Sequence, residues 1–276
     1  MDFKRIEVIF LVVFACLNIF LFNAYKQNQH VETVKNESVS QETLILREMH
    51  EDQISTPKLA TKAKMGYYLS SRPTNALQAA SKHLQSQRTN FDDNRLYSSF
   101  NRPLNPKDGS YTAALKPLLA DAHMIAFGKH YQYSKRFSSK DRLVYTQKLA
   151  EGDLYDERGE IIFHISNKQI VGYQQTYVDH VTTLREKEPT INEKQAVLAL
   201  YSNNAIANGA TIKWTKLGYS RLLDANNSSV YIPTWFIAVE NKNSGNIQIK
   251  RINGFSSVLM KTSDDENLAN ATSTSS

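Results

Sequence analysis

Residues 230–240 read Val-Tyr-Ile-Pro-Thr-Trp-Phe-Ile-Ala-Val-Glu. β-Branched and aromatic side chains dominate the stretch, and such residues suit a pleated, half-buried surface. It therefore predicts a strand over Val230–Glu240. Alternation puts Trp235 and Ile237 on one face and Thr234, Phe236 and Ala238 on the other. Pro233 cannot donate to a ladder, so a proline here belongs at a sheet edge or a bulge. Tyr231, Pro233 and Trp235 are read as a structural anchor of the core rather than a binding hot spot, although Trp is enriched in both settings.

Working outward, Thr211–Leu223 and Ile247–Ile252 read as neighbouring strands. Asn192–Asn203 reads as a helix before them, capped by Thr190, with Ala196, Val197, Leu200 and Tyr201 facing inward and Gly209 beyond its end. The same order occurs upstream. A short helix over Ala113–Asp121 precedes extended segments at His123–Phe127, Tyr131–Phe137, Arg142–Leu149, Glu160–Ile165 and Gln169–Val181, with turns at Gly152, Gly159 and Asn167-Lys168. Two helix-then-strands units predict helices covering one face of antiparallel sheets, an α+β architecture. Nearer the N-terminus, Glu42–Gln53 and Asn75–Gln87 predict helices and Met65–Leu69 a strand. Thr89–Pro106 predicts a loop with a domain boundary inside it. The expected organisation is an anchor over 1–26, a stalk and first α+β subdomain over 27–100, a second α+β region over 101–261, and a disordered polar tail over 262–276.

The start of the chain differs in kind. From Ile6 to Phe22 only Glu7 and Asn18 interrupt an apolar run. About 20 residues rising 1.5 Å each cross a hydrocarbon core of about 30 Å. Lys4 and Arg5 before the run favour a cytoplasmic N-terminus, with the bulk of the chain extracytoplasmic. No small-x-small cleavage site follows, so the run predicts an uncleaved single transmembrane helix rather than a signal peptide. A lipoprotein signal at Cys16 fits less well, because Phe14 is bulky and apolar residues continue to Phe22. Phe10, Phe14, Asn18 and Phe22 recur every four residues and form one slowly winding stripe, a candidate partner-binding face. An Asn in such a stripe can hydrogen-bond to another helix, at about 1 kcal/mol. The alternative is a single Asn tolerated near interfacial water.

The chemistry of the remainder is sparse. Among 276 residues there are one Cys, inside the apolar run, and seven His, none in an HExxH arrangement or beside a completing ligand set. No nucleophile elbow or phosphate-binding glycine loop occurs. No catalytic residue, cofactor or metal site is therefore assigned. Asp153, Asp156, Glu157 and Glu160 cluster around Gly159 and predict a solvated turn rather than an acid–base pair. Lys and Arg number 33 against 27 Asp and Glu, a net charge of +6. No dense basic block with interleaved aromatics appears, which disfavours nucleic acid as a partner. Three function classes remain: a membrane-anchored regulatory subunit, a wall-polymer or lipid-binding module using the positive charge, and a wall hydrolase with a cryptic carboxylate set.

Several segments together carry a resemblance. Met1-Asp2-Phe3-Lys4-Arg5-Ile6, running into the span that ends near Asn18-Ile19-Phe20-Leu21, resembles the N-terminus of the YycI family. Val230-Tyr231-Ile232-Pro233-Thr234-Trp235 is similar to that family's Ile-Pro-x-Trp strand. It follows a helix like Lys194–Tyr201 and a segment like Ile212–Gly218, and Gly66-Tyr67-Tyr68-Leu69 fits the family's early strand. The resemblance covers most of the chain except the tail. It implies a single-pass membrane protein of low-GC Gram-positive bacteria, without enzymatic activity or cofactor. The implied partners are the sensor histidine kinase YycG (WalK) of a cell-wall two-component system and a YycH-type protein, reached through transmembrane and exported contacts. The implied fold packs helices against curved antiparallel sheets, and the direction of regulation does not carry over.

Overall fold

The strand expected over Val230–Glu240 runs from Ser228 to Glu240, and residues 231–239 are all buried. A strand buried on both faces needs cover above and below, and the rest of the fold supplies it. The structure, a computed structural model, describes the backbone of residues 3–29, 31–106 and 109–261, and the side chains of residues 7, 10–22, 41–106 and 109–261. The chain divides into two units, 1–54 and 55–276.

In the first unit, Phe3–Gln29 forms α1 and Val31–Glu51 forms α2. Exposed apolar side chains line α1 from Phe10 to Phe22, with Cys16 exposed among them. Among the described residues no helix is long and apolar enough to cross a membrane. The span expected over Ile6–Phe22 includes residues 6, 8 and 9, whose side chains lie outside the described residues. The expected helix at Glu42–Gln53 overlaps α2, which begins eleven residues earlier and stops at Glu51. Gln53 turns left-handed (φ 57°) and the Ile54 N–H closes back onto the Met49 carbonyl at 2.9 Å.

The second unit runs β1 (Met65–Gly66), β2 (Leu69–Ser71), α3 (Ala76–Ser81), β3 (Gln87–Asp92), β4 (Arg95–Leu104), α4 (Tyr111–Ala120), β5 (Tyr131–Tyr133), β6 (Arg142–Gln147), β7 (Glu160–Ser166), β8 (Gln169–Gln175), β9 (Thr182–Thr183), β10 (Glu188–Pro189), α5 (Glu193–Ser202), β11 (Thr211–Ala225), β12 (Ser228–Glu240), β13 (Ile247–Asn253) and β14 (Leu259–Met260). One six-stranded antiparallel sheet has the order β3-β4-β8-β7-β6-β5. The other has the order β14-β13-β12-β2-β9, with β11 paired along the remaining edge of β12. β1 and β10 form a separate two-stranded ribbon. The α+β architecture with antiparallel sheets is thus the observed one. Leu77 of α3 and Leu115 of α4 join Leu96, Phe100, Leu143, Phe163 and Tyr173 in the core on one face of the first sheet.

Several local expectations change. The loop expected over Thr89–Pro106 is a hairpin, β3–β4, and residues 100 and 101 sit inside its second strand. Its turn is Asp93-Asn94, both at positive φ (42° and 58°). The Asn167-Lys168 and Asn226-Asn227 turns that join β7–β8 and β11–β12 share this geometry. Two left-handed residues are what a two-residue hairpin with the native twist requires. The helix expected over Asn75–Gln87 ends at Ser81, and its last residue instead opens β3. His123–Phe127 is not a strand. Asp121 accepts hydrogen bonds from the His123 N–H through its side chain (2.9 Å) and from the Met124 and Ile125 N–H groups through its carbonyl (3.1 and 3.0 Å). That turn carries Ile125 and Ala126 into the core instead. α5 is capped by Asn192, not Thr190: Asn192 accepts from the Gln195 N–H (2.8 Å), while the Gln195 side chain accepts from the Asn192 N–H (3.0 Å).

Pro233 lies in a central strand rather than at an edge. β11 pairs with β12 along its whole length. The other edge of β12 changes partner, with β2 opposite residues 229–231 and β13 opposite residues 234–240. The Pro233 carbonyl accepts from the Gly254 N–H at 2.8 Å on that second edge. In an extended strand a residue's N–H and C=O point the same way. The donor that proline lacks therefore faces the junction where one partner ends and the next begins. Gly66 packs so close to the Pro233 ring that a Cβ on it would lie 2.3 Å from Pro233 Cγ. Two residues on, Trp235 is only 4% exposed, and its indole N–H donates to the Ile191 carbonyl (3.0 Å) just before α5.

Trp235→Phe is expected to lower stability by about 1 kcal/mol through the lost hydrogen bond. Trp235→Ala should cost about 3–5 kcal/mol through the cavity left in the core. Urea unfolding of the two variants and the native chain measures both, and an alanine variant as stable as the native protein would refute the anchor role.

Candidate functional site: a cleft between the two sheets

The face of the first sheet turned away from its helices is not a conventional core. Arg142, Val144 and Thr146 alternate along β6, Glu160 and Ile162 along β7, and Gln174 and Arg95 extend the surface onto β8 and β4. Register sets Val144 opposite Ile162, Ile162 opposite Gln174, and Thr146 opposite Glu160. Across from this surface stand Arg221 and Leu223 of β11, Phe236 of β12, Ile249 and Arg251 of β13, and Met260 of β14. Between them lies a cleft of about 870 Å³.

The cleft is held open by the long connection from β6 to β7. Residues 153–155 lie along the outer edge of β11. The Tyr219 N–H donates to the Asp153 carbonyl and the Tyr155 N–H donates to the Tyr219 carbonyl, both at 2.8 Å. Tyr155 seats over Gly218, where a Cβ would come within 2.3 Å of its ring. Its ring meets Phe137 at 5.0 Å and Phe236 at 5.2 Å, and Phe137 meets Trp214 at 5.8 Å, closing one end of the cleft with aromatic surface. Arg158 continues the tie with a bidentate pair to Asp224 (2.9 and 2.8 Å) and a bond to Ser229 Oγ (2.8 Å). Arg221 donates to Asp224 as well (2.8 Å). Burial raises the Asp224 pKa, but the hydrogen bonds from Arg158, Ser229 and Arg221 outweigh it and hold the carboxyl at about 2.

The carboxylates read as a solvated turn are therefore distributed among distinct tasks. Asp153 takes Tyr155 Oη (3.0 Å) and Lys216 Nζ (3.2 Å). Asp156 accepts the backbone N–H groups of Arg158 and Arg221, both at 3.1 Å. Glu160 faces the cleft with only 16% of its side chain exposed and Arg142 no closer than 3.9 Å. Burial pushes its pKa up to about 7, with Arg142 and Arg95 pulling against that shift. His164, opposite Arg142 in the register, is shifted downward by burial and then by that arginine. Two side-chain atoms among the residues lining the cleft, Thr146 Oγ1 and Arg251 Nε, are buried without a hydrogen-bond partner.

Of the residues singled out from sequence, Phe10, Phe14, Asn18 and Phe22 all lie exposed on α1. Tyr231 and Trp235 are buried in the second unit, and Phe236, beside Trp235, is the neighbour that reaches the cleft. Among the described residues no group of three or more His, Cys, Asp or Glu converges as a metal ion would require. The cleft itself escaped the sequence. Its one sequence signal is the polar alternation Arg142-x-Val144-x-Thr146 and Glu160-x-Ile162, which marks a sheet face too polar for a core and too apolar for open solvent.

Glu160 couples stability to pH. Its folded pKa lies above the unfolded value of 4.5, so the protonated form is favoured on folding. That stabilisation is complete below about pH 4.5 and is lost as pH rises through about 7. The difference in unfolding free energy between the native chain and Glu160→Gln should change by an amount on the order of 3 kcal/mol across this window. Urea titrations at pH 4.5 and 8 measure it, and a pH-independent difference would rule the coupling out.

The family model described as YycI protein matches residues 32–255. No curated protein matches the chain. Among solved structures, an uncharacterized protein from Eubacterium rectale aligns at 9% identity with a TM-score of 0.46, covering 76% of this chain and 91% of that one. The YpeB C-terminal domain of Bacillus megaterium aligns at 12% identity with a TM-score of 0.37, covering 80% and 95%.

Proposed function

The chain belongs to the YycI family, and from that premise we propose that it is a non-enzymatic, membrane-anchored regulatory protein that modulates the sensor histidine kinase YycG of a cell-wall two-component system. The observation that carries this proposal is the family match over residues 32–255. The apolar run Ile6–Phe22 is its single transmembrane anchor, with the N-terminus cytoplasmic and the second unit extracytoplasmic. The kinase and a YycH-type protein are its partners.

The mechanism is equilibrium coupling. A partner that binds one kinase conformation more tightly shifts its population by the difference in affinity and by nothing else. A coupling of 1–3 kcal/mol changes the balance by about 5- to 150-fold, a range that a helix contact and a domain contact together can supply. Phe10, Phe14, Asn18 and Phe22 form the membrane face of that contact. The stripe supplies aromatic packing, and the Asn18 amide gains a hydrogen bond within the apolar medium, worth about 1 kcal/mol.

Replacing residues 6–22 by an unrelated transmembrane helix is expected to reduce both kinase co-purification from membranes and regulon output. Asn18→Leu alone should weaken association by several-fold. Full retention of both readouts in the swapped chain would exclude the helix contact, and an unchanged regulon output on deletion of the whole protein would exclude the regulatory role.

A further inference from the structure

Some charged groups around the inter-sheet cleft are already committed. Asp156 is taken up by two backbone N–H groups, and Arg221 by Asp224. Arg251 donates through Nη2 to the Lys261 carbonyl, but its Nε is buried and has no acceptor. Arg142 reaches Glu160 only at 3.9 Å while half of its side chain stays exposed. The lining carries Arg95, Arg142, Arg221, Arg251 and Lys261 against Asp156, Glu157 and Glu160. Arg221 is offset by Asp224 outside the lining, while burial shifts Glu160 toward its neutral form, so Arg95, Arg142, Arg251 and Lys261 carry the positive excess.

A buried N–H without an acceptor is costly, and guanidinium groups favour carboxylate and phosphate oxygens in particular. Thr146 Oγ1, also buried and unpartnered, can donate or accept. Beside these groups the same lining presents Val144, Ile162, Phe236, Ile249 and Met260, contributed by both sheets. The volume of about 870 Å³ lies within the range of small-molecule sites, about 300–1,000 Å³. Apolar walls combined with a few convergent polar groups are the signature of such a site.

We propose that the cleft between the two sheets binds a small amphipathic anion, with a carboxylate or phosphate headgroup at Arg251 and Arg142 and a short apolar chain against Val144, Ile162, Phe236 and Met260. This site is independent of the kinase contact and stands whether or not the kinase is the partner.

The test uses the full chain in lipid nanodiscs, with empty nanodiscs as the blank, titrated with octyl phosphate, octanoate and octyltrimethylammonium. At least one of the two anions should bind saturably, one per chain, and raise Tm as expected for a ligand selective for the folded state. Binding by only one of them assigns the headgroup. The octyl cation should bind at least tenfold more weakly. Arg251→Gln should weaken anion binding at least tenfold. Arg142→Gln, a half-exposed position, should weaken it several-fold without lowering the Tm of the unliganded protein, so a folding defect in the first variant leaves the second decisive. Equal binding of the cation and the anions, no saturable binding of either anion up to millimolar concentration, or undiminished binding in Arg142→Gln would each overturn the proposal.

Discussion

Pro233 has no N–H to give, and the second sheet is arranged around that missing donor. β12 keeps one partner, β11, along its length and exchanges the other at this residue, from β2 to β13. A proline anywhere else in a strand paired on both sides would leave a carbonyl of the neighbouring strand without its donor. Here the carbonyl next in register, that of Gly254, is satisfied instead by the Ile191 N–H at 2.7 Å. The surrounding chain closes on the ring: Gly66 approaches it without a Cβ, and the Gly254 N–H takes its carbonyl. Trp235 then ties the strand to the entry of α5. Pro233 thus sits where β2 starts, at Leu69 opposite Tyr231, and where β13 ends, at Asn253 opposite Thr234.

The second organising constraint is that β12 is buried on both faces while the first sheet is a core on only one. Helices α3 and α4 cover one side of that sheet. Its other side, with Arg142, Thr146 and Glu160 on it, could not be pressed directly against Phe236 and Ile249 without desolvating charges. The connection from β6 to β7 resolves the conflict by standing between the sheets, through Tyr155 over Gly218 and Arg158 on Asp224. A cleft lined by both sheets follows from that arrangement. Its polarity and its raised Glu160 pKa share one cause, incomplete solvation of groups that belong neither to a core nor to the open surface.

Legibility in the sequence follows the range of the interactions involved. β11, β12 and β13 were readable because long runs of β-branched and aromatic residues state their own conformation. The Asn167-Lys168 turn was readable for a similar reason. The β3–β4 hairpin was missed because Arg95, Arg102, Asn101 and two prolines mask the alternation of Leu96, Ser98 and Phe100, all buried, and because Asp93-Asn94 lacks the glycine that marks such turns most clearly. At His123–Phe127 apolar content suggested a strand, yet the Asp121 turn won because it satisfied three successive backbone donors locally. The cleft had no local signature, since its walls come from residues as far apart as Arg95 and Met260.

By itself the sequence determined the antiparallel α+β class, the apolar character of the first helix and the family to which the chain belongs. Each depends on the order of side-chain types over a few residues, or on motifs along a line. Only the tertiary structure decided that Pro233 is central, that Asn192 rather than Thr190 caps α5, and that Glu160 lies in a cleft where burial raises its pKa, rather than at a solvated turn. The physical reason is the same in all three. Hydrogen-bond partners and dielectric surroundings are set by which distant segment arrives alongside, and β-branching, charge and proline state only what a segment can accept.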